Sequence, residues 1–273
     1  MEQNAIKAHW ENWAQIYKDS LRATTKSPTP KMVEIHTFVR AIRKVMENTG
    51  RTTLNILEAG CGHGRNCLSL LEHFPDCTFS GFDFVPEMIE SAKTLREQRT
   101  ISPEKVHFSV GNVLYPDFKP ESFDVIFTNR CLINLNSDAL QHEAIGKLAG
   151  LLKTGGTLLM LENSMASYTN QNKAREAVGL EARTPAEFNH FLNEDTLFPA
   201  LEATGLPCED VEDCISLHDL VLYVLLPMVN NGQIVYDDPL VEAAARLNIA
   251  LSDIHPSSTG IYGQNRLYVC KKI

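Results

Sequence analysis

The sequence predicts an α/β fold in which helices cover both faces of a doubly wound, mostly parallel β-sheet. Short apolar strands alternate with amphipathic helices between Leu54 and Asn163. A glycine-rich turn follows the first strand, at the position where doubly wound sheets bind ligands. The 273 residues favour one large domain, or one domain with an insertion, over two equal domains.

Two helices are predicted before the first strand. Apolar residues recur at helical spacing from Ile6 to Leu21, and a second periodic segment from Met32 to Met46 ends at Asn48-Thr49-Gly50. The loop between them, Thr24 to Pro30, is rich in Thr, Ser and Pro. We expect residues 1–50 to form lid helices over the first strand.

The central region supplies the parallel part of the sheet. Strands are predicted at 54–58, 77–83, 106–111, 123–128 and 157–162, with helices at 65–74, 86–96 and 137–152. The last of these helices begins at a Ser cap and stops before Thr154-Gly155-Gly156. This alternation indicates a sheet with helices on both faces.

The region after Asn163 is less regular. Helices are predicted at 170–178, 195–204 and 238–251, and strands at 209–216 and 266–270. We expect residues 51–273 to form the main domain, with a helical cap inserted at about 165–205 and 217–255.

The turn after the first strand carries the run Glu58-Ala59-Gly60-Cys61-Gly62-His63-Gly64. Glycines at such a turn permit positive φ and let a ligand approach the backbone closely. Asp83 closes the second strand 25 residues after Glu58, where a carboxylate can accept both hydroxyls of a ribose. The dinucleotide fingerprint would need glycine at the position of Arg65.

This E-x-G-x-G-x-G run resembles the first motif of the class I S-adenosylmethionine-dependent methyltransferases. The resemblance continues in the same order through residues 81–89, 111–113, 123–127 and 151–158. It spans Leu54 to Asn163, and it implies a Rossmann-like, seven-stranded sheet. It also implies S-adenosylmethionine as cofactor and S-adenosylhomocysteine as product.

The resemblance assigns cofactor contacts residue by residue. It implies that Glu58 and the glycine loop hold the methionine part, that Asp83 takes the ribose hydroxyls, and that Asn112 and the Val113 backbone read the adenine edge. The family often has Asp where this chain has Asn112, and an amide oxygen can still accept from the adenine amine. The cofactor-binding residues expected are Tyr17, Glu58, Gly60, Gly62, Gly64, Asp83, Phe84, Met88, Asn112, Val113, Asn129 and Arg130.

The methyl acceptor should approach over the loops after the first, fourth and fifth strands, because ligands of open α/β sheets lie beyond the carboxyl ends of the strands. The candidates for catalysis are His190, His218 and Arg130, with Glu162 as a further possible base. Trp13, Tyr17, Thr25 and Lys26 could close over the cofactor. The residues single out no unique base, and O- and N-methylation both stay open.

Composition restricts the partners. With 25 Lys and Arg against 34 Asp and Glu, the net charge of −9 disfavours nucleic acid and anionic membranes, and we expect a small-molecule acceptor. Seven cysteines without a C-x-x-C pair fit a reduced cytoplasm. No signal peptide or membrane span is expected, and no metal, because the His63 and Cys67 spacing has no second pair nearby. Both a monomer and a homodimer are compatible with the sequence.

The leading hypothesis is methyl transfer from S-adenosylmethionine to an O or N atom of a small polar or natural-product-like metabolite. A first alternative is a cofactor-binding sensor or partner subunit that transfers no methyl group, because no obvious base is present. A second is a nucleotide-dependent oxidoreductase, because the sheet and Asp83 suit that class too.

Overall fold

The computed structural model describes residues 3–17, 27–255 and 259–273. Its strands are β1 (Asn55–Ala59), β2 (Thr78–Asp83), β3 (Val106–Val110), β4 (Phe123–Asn129), β5 (Leu152–Asn163), β6 (Cys208–Asp213) and β7 (Asn265–Lys271). They form one sheet in the order β3-β2-β1-β4-β5-β7-β6. Strands β1 to β5 pair in parallel, whereas β7 runs antiparallel to both β5 and β6. The predicted doubly wound, mostly parallel sheet is confirmed.

Helices precede, connect and follow these strands. The α-helices are α1 (Gln3–Tyr17), α2 (Thr29–Thr49), α3 (Arg65–His73), α4 (Pro86–Gln98), α5 (Asp138–Leu151), α6 (Met165–Ala177), α7 (Glu194–Ala203), α8 (Ser216–Leu220), α9 (Leu226–Val229) and α10 (Pro239–Ile254). A 3₁₀ turn covers Leu132–Asn134. None of the helices that the structure describes is long and apolar enough to cross a membrane.

The sheet buries both faces because successive strand residues point to opposite sides. In β4, Val125 and Phe127 pack beneath α2, α3 and α4, while Ile126 packs beneath α5 and α7. The Phe38 ring of α2 lies 4.7 Å from the Phe127 ring, so α2 belongs to the core. The result is a three-layer arrangement whose parallel strands all end at the same edge.

The described part of the N-terminal helix is α1, which covers Gln3–Tyr17 as the periodicity predicts. The predicted continuation to Leu21 falls in residues 18–26, which lie outside the described residues together with Thr25 and Lys26, so it stays a prediction. Helix α6 begins five residues before the predicted Asn170, because Ser164 caps it by accepting from the Ser167 N–H at 3.1 Å.

The segment between β6 and β7 contains a π-helical turn, Val221–Leu225, between α8 and α9. The Leu226 N–H donates to the Val221 oxygen, five residues back. Pro227 has no N–H to offer the Tyr223 oxygen four residues before it, and the Arg175 guanidinium of α6 donates to that oxygen instead. This turn therefore ties α6 to the helices that follow β6.

Replacing Gly64 with Ala should destabilise the protein. Gly64 has φ +73° at the start of α3, and an added Cβ would lie 2.4 Å from Cζ of Phe108. Strain and overpacking together should lower the free energy of unfolding by about 2–4 kcal/mol, measured by urea denaturation. Gly150→Ala in α5 is the control, since a Cβ there has no heavy atom within 4 Å and Ala favours a helix. Equal effects of the two changes would contradict the prediction.

Candidate active site

A cavity of about 760 Å³ opens where β1, β2, β4 and β5 end, in the size range of small-molecule sites. Chain order reverses between β1 and β4, which is where ligands enter doubly wound sheets. Nine of the twelve residues predicted to contact a cofactor line this cavity: Gly60, Gly62, Asp83, Phe84, Met88, Asn112, Val113, Asn129 and Arg130.

The glycine loop is folded by contacts with the end of β2. The N–H groups of Gly60 and Cys61 both donate to the Phe82 oxygen at 2.9 Å, and the Gly62 N–H donates to Asp83 Oδ2 at 2.8 Å. A Cβ on Gly60 would lie 2.4 Å from the Cys131 Sγ. Gly60 is therefore required for the close packing of Cys131 against the loop, and the N–H groups of Gly60, Cys61 and Gly62 serve to hold the loop itself.

Asp83 links the two loops that frame one end of the cavity. In addition to the bond from the Gly62 N–H, its Oδ1 accepts a hydrogen bond from the Val85 N–H at 3.0 Å. Each carboxylate oxygen has a second lone pair, and the side chain lines the cavity. Burial raises the pKa of Asp83 above its usual range, and the backbone N–H groups of Val85, Gly62 and Phe84 oppose that shift.

A flat, partly apolar wall adjoins Asp83. Met88 is buried beside Val85, whereas Phe84 is 40% exposed and has the Lys7 ammonium 4.8 Å from its ring centroid. Opposite them, Asn112 Oδ1 accepts from the Leu114 N–H at 2.9 Å. This bond uses one lone pair of the oxygen, so the amide NH₂ and the second lone pair are left for a ligand. Acceptance from the adenine amine by the oxygen stays a prediction.

The loop after β4 is fixed by a buried carboxylate from α2. Glu34 lies 2.6 Å from the Lys31 ammonium and 3.2 Å from the Arg130 guanidinium, and it accepts from Asn129 Nδ2 at 2.8 Å. Burial would raise its pKa, but Arg130 and Lys31 outweigh burial and lower the pKa of Glu34 to about 2. Arg130 has φ +53°, an uncommon backbone conformation for a residue with a side chain.

Asn129 also presents an unsatisfied acceptor to the cavity. Its Oδ1 is buried and has no hydrogen-bond partner in the part of the chain that the structure describes. An unpaired buried amide oxygen costs free energy that a donor on a ligand would recover. The site therefore fits a ligand that brings an ammonium or another N–H donor to the end of β4.

Glu58 occupies a different place from the one expected. Its side chain is fully buried beneath the loop, where it accepts from Asn66 Nδ2 at 2.6 Å and from the Cys67 thiol at 3.1 Å. It does not line the cavity, and neither does Gly64, whose α carbon faces Phe108. The structure thus corrects the expectation of direct ligand contact for these two residues, which shape the loop from below.

Glu162 also acts from beneath a loop. Its carboxylate accepts from the N–H groups of Cys131, Leu132 and Ile133 at 3.0–3.4 Å, so it holds the 3₁₀ turn after β4. Burial raises the pKa of Glu162 to about 7. It is fully buried and outside the cavity wall, so it cannot reach an acceptor as a base.

The two histidines predicted as catalytic lie outside the cavity. His218 is fully buried, with Nδ1 2.8 Å from Asp219 and Nε2 3.1 Å from Thr29, so both ring nitrogens are occupied in the core. His190 Nε2 pairs with Asp138 at 2.5 Å near the surface. The structure does not bring either ring to the cavity, because each is held by partners elsewhere, and a catalytic role for these histidines stays an untested prediction. Only Arg130 of the predicted catalytic set lines the cavity.

Helix α1 forms an aromatic wall of the cavity with the loop after α6. Trp10 and Trp13 line it, the Trp10 Nε1 donates to Asn134 at 3.2 Å, and the His9 ring stacks 4.3 Å from Phe188. Burial lowers the pKa of His9, so its imidazole is neutral at pH 7. The side chain of Tyr17 lies outside the described residues, and its role stays a prediction.

The far end of the cavity contains residues that sequence reasoning did not single out. Those used below are Asn163, Tyr168, Arg183, Tyr223, Tyr236 and Gln264. Asn163 is the last residue of β5 and directly follows the predicted strand 157–162, at one of the loops where the acceptor is expected. Tyr168 lies in α6, Tyr223 in the π-helical turn and the other three in loops, and no motif in the sequence marks these positions.

Residues 51–196, more than half of the chain, match the model of a family described as a methyltransferase domain. Together with the ordered motifs and the sheet topology, this match shows that the chain belongs to the class I S-adenosylmethionine-dependent methyltransferase family.

Curated relatives resemble part of the chain. The ajmaline N-methyltransferase of Rauvolfia serpentina is 26% identical over 160 residues, which are 56% of this chain and 53% of that protein. The norajmaline N-methyltransferase of the same plant is 23% identical over 50% of this chain and 44% of its own length. This chain thus spans about half the length of the curated relatives it matches.

Solved structures share the fold over nearly the whole chain. The magnesium protoporphyrin IX methyltransferase of Synechocystis PCC 6803 superposes with a TM-score of 0.60 at 12% identity and covers 100% of both chains. The geranyl diphosphate C-methyltransferase of Streptomyces coelicolor A3(2) gives 0.59 at 16% identity, covering 99% of this chain and 98% of its own. The likeness at these identities concerns the fold.

Glu58 should make stability depend on pH. Burial raises its pKa from an ordinary 4.5 to about 7, so the folded state holds the proton more tightly than the unfolded chain. The free energy of unfolding should therefore fall as pH rises from 5 to 8. In Glu58→Gln that fall should be smaller by about 1–3 kcal/mol, measured by urea denaturation at both pH values. The exposed Glu97→Gln on α4 is the control, and an unchanged pH dependence in Glu58→Gln would contradict the prediction.

Proposed function

We propose that this protein transfers a methyl group from S-adenosylmethionine to an O or N atom of a small polar metabolite. The observation that carries the proposal is the cavity at the reversal of strand order, with Asp83 at one end of it and the unpaired Asn129 oxygen beside β4. The two curated N-methyltransferase relatives support a nitrogen acceptor, and they share only part of their length with this chain.

The residues of the cavity fit the parts of this cofactor. Asp83 would accept the two ribose hydroxyls with its free lone pairs, and Phe84 and Met88 would contact the adenine ring. The Asn112 NH₂ and the Val113 N–H would donate to ring nitrogens of adenine.

The opposite end of the cofactor would meet groups of both charges. Asn129 Oδ1 would accept from the ammonium of the methionine part, and Arg130 would face its carboxylate while Glu34 holds both side chains in place. Gly60 and Gly62 would leave room for this part of the molecule against the backbone. Glu58 would act indirectly by holding Asn66 and the loop.

When bound, S-adenosylmethionine supplies a methyl group whose bond to the sulfonium sulfur breaks, leaving its electron pair on sulfur, as the acceptor's lone pair forms the new bond. The chain's own contribution is to align the acceptor in this cavity and to exclude water from it, which together account for much of the rate enhancement in such displacements. The aromatic wall of α1 would provide part of that exclusion. The neutral His9 imidazole can accept a proton from an acceptor that carries one.

Isothermal titration calorimetry with S-adenosylhomocysteine tests the cofactor half. The wild-type protein should bind with micromolar affinity, and Asp83→Ala should weaken binding by about 10- to 100-fold, since two hydrogen bonds to a charged group are lost. Asp117→Ala changes an exposed loop carboxylate and should bind as the wild type does.

The same titration with NAD distinguishes the oxidoreductase alternative. NAD should release no heat of binding. Binding of NAD without binding of S-adenosylhomocysteine would overturn the proposed function, and full affinity in Asp83→Ala would overturn the assignment of that residue. Thermal unfolding of each variant shows whether loss of the contact with Gly62 has disturbed the fold.

A further inference from the structure

The far end of the cavity is built around a positively charged side chain, Arg183, that forms no ion pair with a carboxylate in the described part of the chain. We define the acceptor end as Asn163, Tyr168, Arg183, Tyr223, Tyr236 and Gln264, which line the same cavity as the proposed cofactor residues. Asn163 is the last residue of β5, and the other five follow the stretch that carries the cofactor motifs. These residues therefore form a part of the wall that is available to the methyl acceptor.

Arg183 is held firmly in place. Its guanidinium carbon lies 3.7 Å from the centroid of the Tyr223 ring and 5.6 Å from that of Tyr168, and Nη1 donates to Gln171 Oε1 at 2.7 Å. Its backbone N–H donates to Asn172 Oδ1 at 2.9 Å, and its backbone oxygen accepts from the same side chain. A guanidinium fixed in this way loses little freedom on binding a ligand.

Arg183 differs from Lys31 and Arg130 in its binding partners. Lys31 and Arg130 both pair with Glu34, whereas Arg183 has no carboxylate within ion-pair distance among the residues that the structure describes. Its partners are aromatic faces and an amide oxygen, which stabilise a cation without cancelling its charge. The remaining N–H groups of its fork are thus available to an anion.

Tyr168 places a second donor beside Arg183. Its side chain is only 3% exposed and lines the cavity, and its hydroxyl has no hydrogen-bond partner in the described ranges of the chain. The ring packs edge-on against Phe191 at 5.1 Å, which fixes its direction. Burial raises the pKa of Tyr168, so the phenol keeps its proton at neutral pH and can donate it in a hydrogen bond.

Two adjacent donors, one of them cationic, call for an oxygen anion as their ligand. We propose that Arg183 and Tyr168 bind a carboxylate of the methyl acceptor, so that the substrate is a small carboxylic acid. A planar carboxylate matches the guanidinium fork, and the rings of Tyr168, Tyr223 and Tyr236 suit an acceptor with a flat or apolar body. This inference rests on the proposed function, because it takes the rest of the cavity as the cofactor site.

The test uses the full chain saturated with S-adenosylhomocysteine and matched pairs of probes. Each pair is an aromatic or aliphatic carboxylic acid, such as benzoate or indole-3-acetate, and its own carboxamide, with binding measured by saturation-transfer NMR titration. The best acids should bind at least about tenfold more tightly than their amides, as expected for a charge-assisted contact.

Variants locate the contact. Arg183→Met keeps the aliphatic stem but removes the charge, and it should abolish the preference for the acid, while Tyr168→Phe should weaken acid binding several-fold. The exposed Arg246→Met on α10 is the matched control and should behave as the wild type. S-adenosylhomocysteine should bind all of these variants with unchanged affinity, which also shows that they fold.

Three results would overturn the inference while the proposed function stands. These are binding of S-adenosylhomocysteine with no acid bound, equal binding of acids and amides, or an acid preference that persists in Arg183→Met. Failure of S-adenosylhomocysteine itself to bind would instead count against the proposed function. The two proposals can thus fail separately.

Discussion

At the carboxyl edge of the sheet the chain leaves the strands and enters loops. Backbone N–H groups in these loops no longer pair with a neighbouring strand, and buried carboxylates accept hydrogen bonds from them instead. Glu162 accepts three successive N–H groups of the turn after β4, and Asp83 accepts one from each of two neighbouring loops. An unpaired N–H group in the interior would cost free energy, and these carboxylates remove that cost while their own burial raises their pKa values. The shape of the cavity depends on this arrangement.

Charge inside the cavity is set locally and differs in sign from the chain as a whole. The chain has a net charge of −9, while the cavity wall carries Lys7, Lys31, Arg65, Arg130 and Arg183 against Asp83. Glu34 stands behind this wall and fixes two of the cations. A repulsive surface for polyanions and a cationic pocket for a small anion are thus compatible, because exposed charges are screened over about 10 Å and buried ones much less.

The sequence predicts those parts of the molecule whose cause is local. Strands β1 to β5 follow from apolar runs between short turns, and Asp83 follows from its place at the end of β2. The insertion of β7 between β5 and β6 depends on pairing between distant segments, so no pattern near Asn265–Lys271 reveals its neighbours. The sequence therefore predicts the cofactor half better than the remainder.

The candidate site also contains parts with a local cause and parts that depend on contacts between distant segments. His218 looked available because its nearest acidic neighbour in sequence could orient it, but Thr29, almost two hundred positions away, takes the other ring nitrogen. Arg183 and Tyr168 come together with Tyr223 only through the packing of α6 against the π-helical turn. The side chains of the acceptor end are assembled by tertiary contacts, and their residue types alone do not distinguish them from ordinary surface or core positions.

The π-helical turn at Val221–Leu225 suggests how such a site can change over evolutionary time. It accommodates one residue more than an α-helical turn, and neighbouring positions in a helix differ by about 100° in direction. Loss of a single codon before Tyr223 would swing that ring away from Arg183, whereas the glycine loop and β2 would be untouched. An insertion or deletion in this one short helix would thus change the wall of the acceptor end without changing the residues that we propose for the methyl donor.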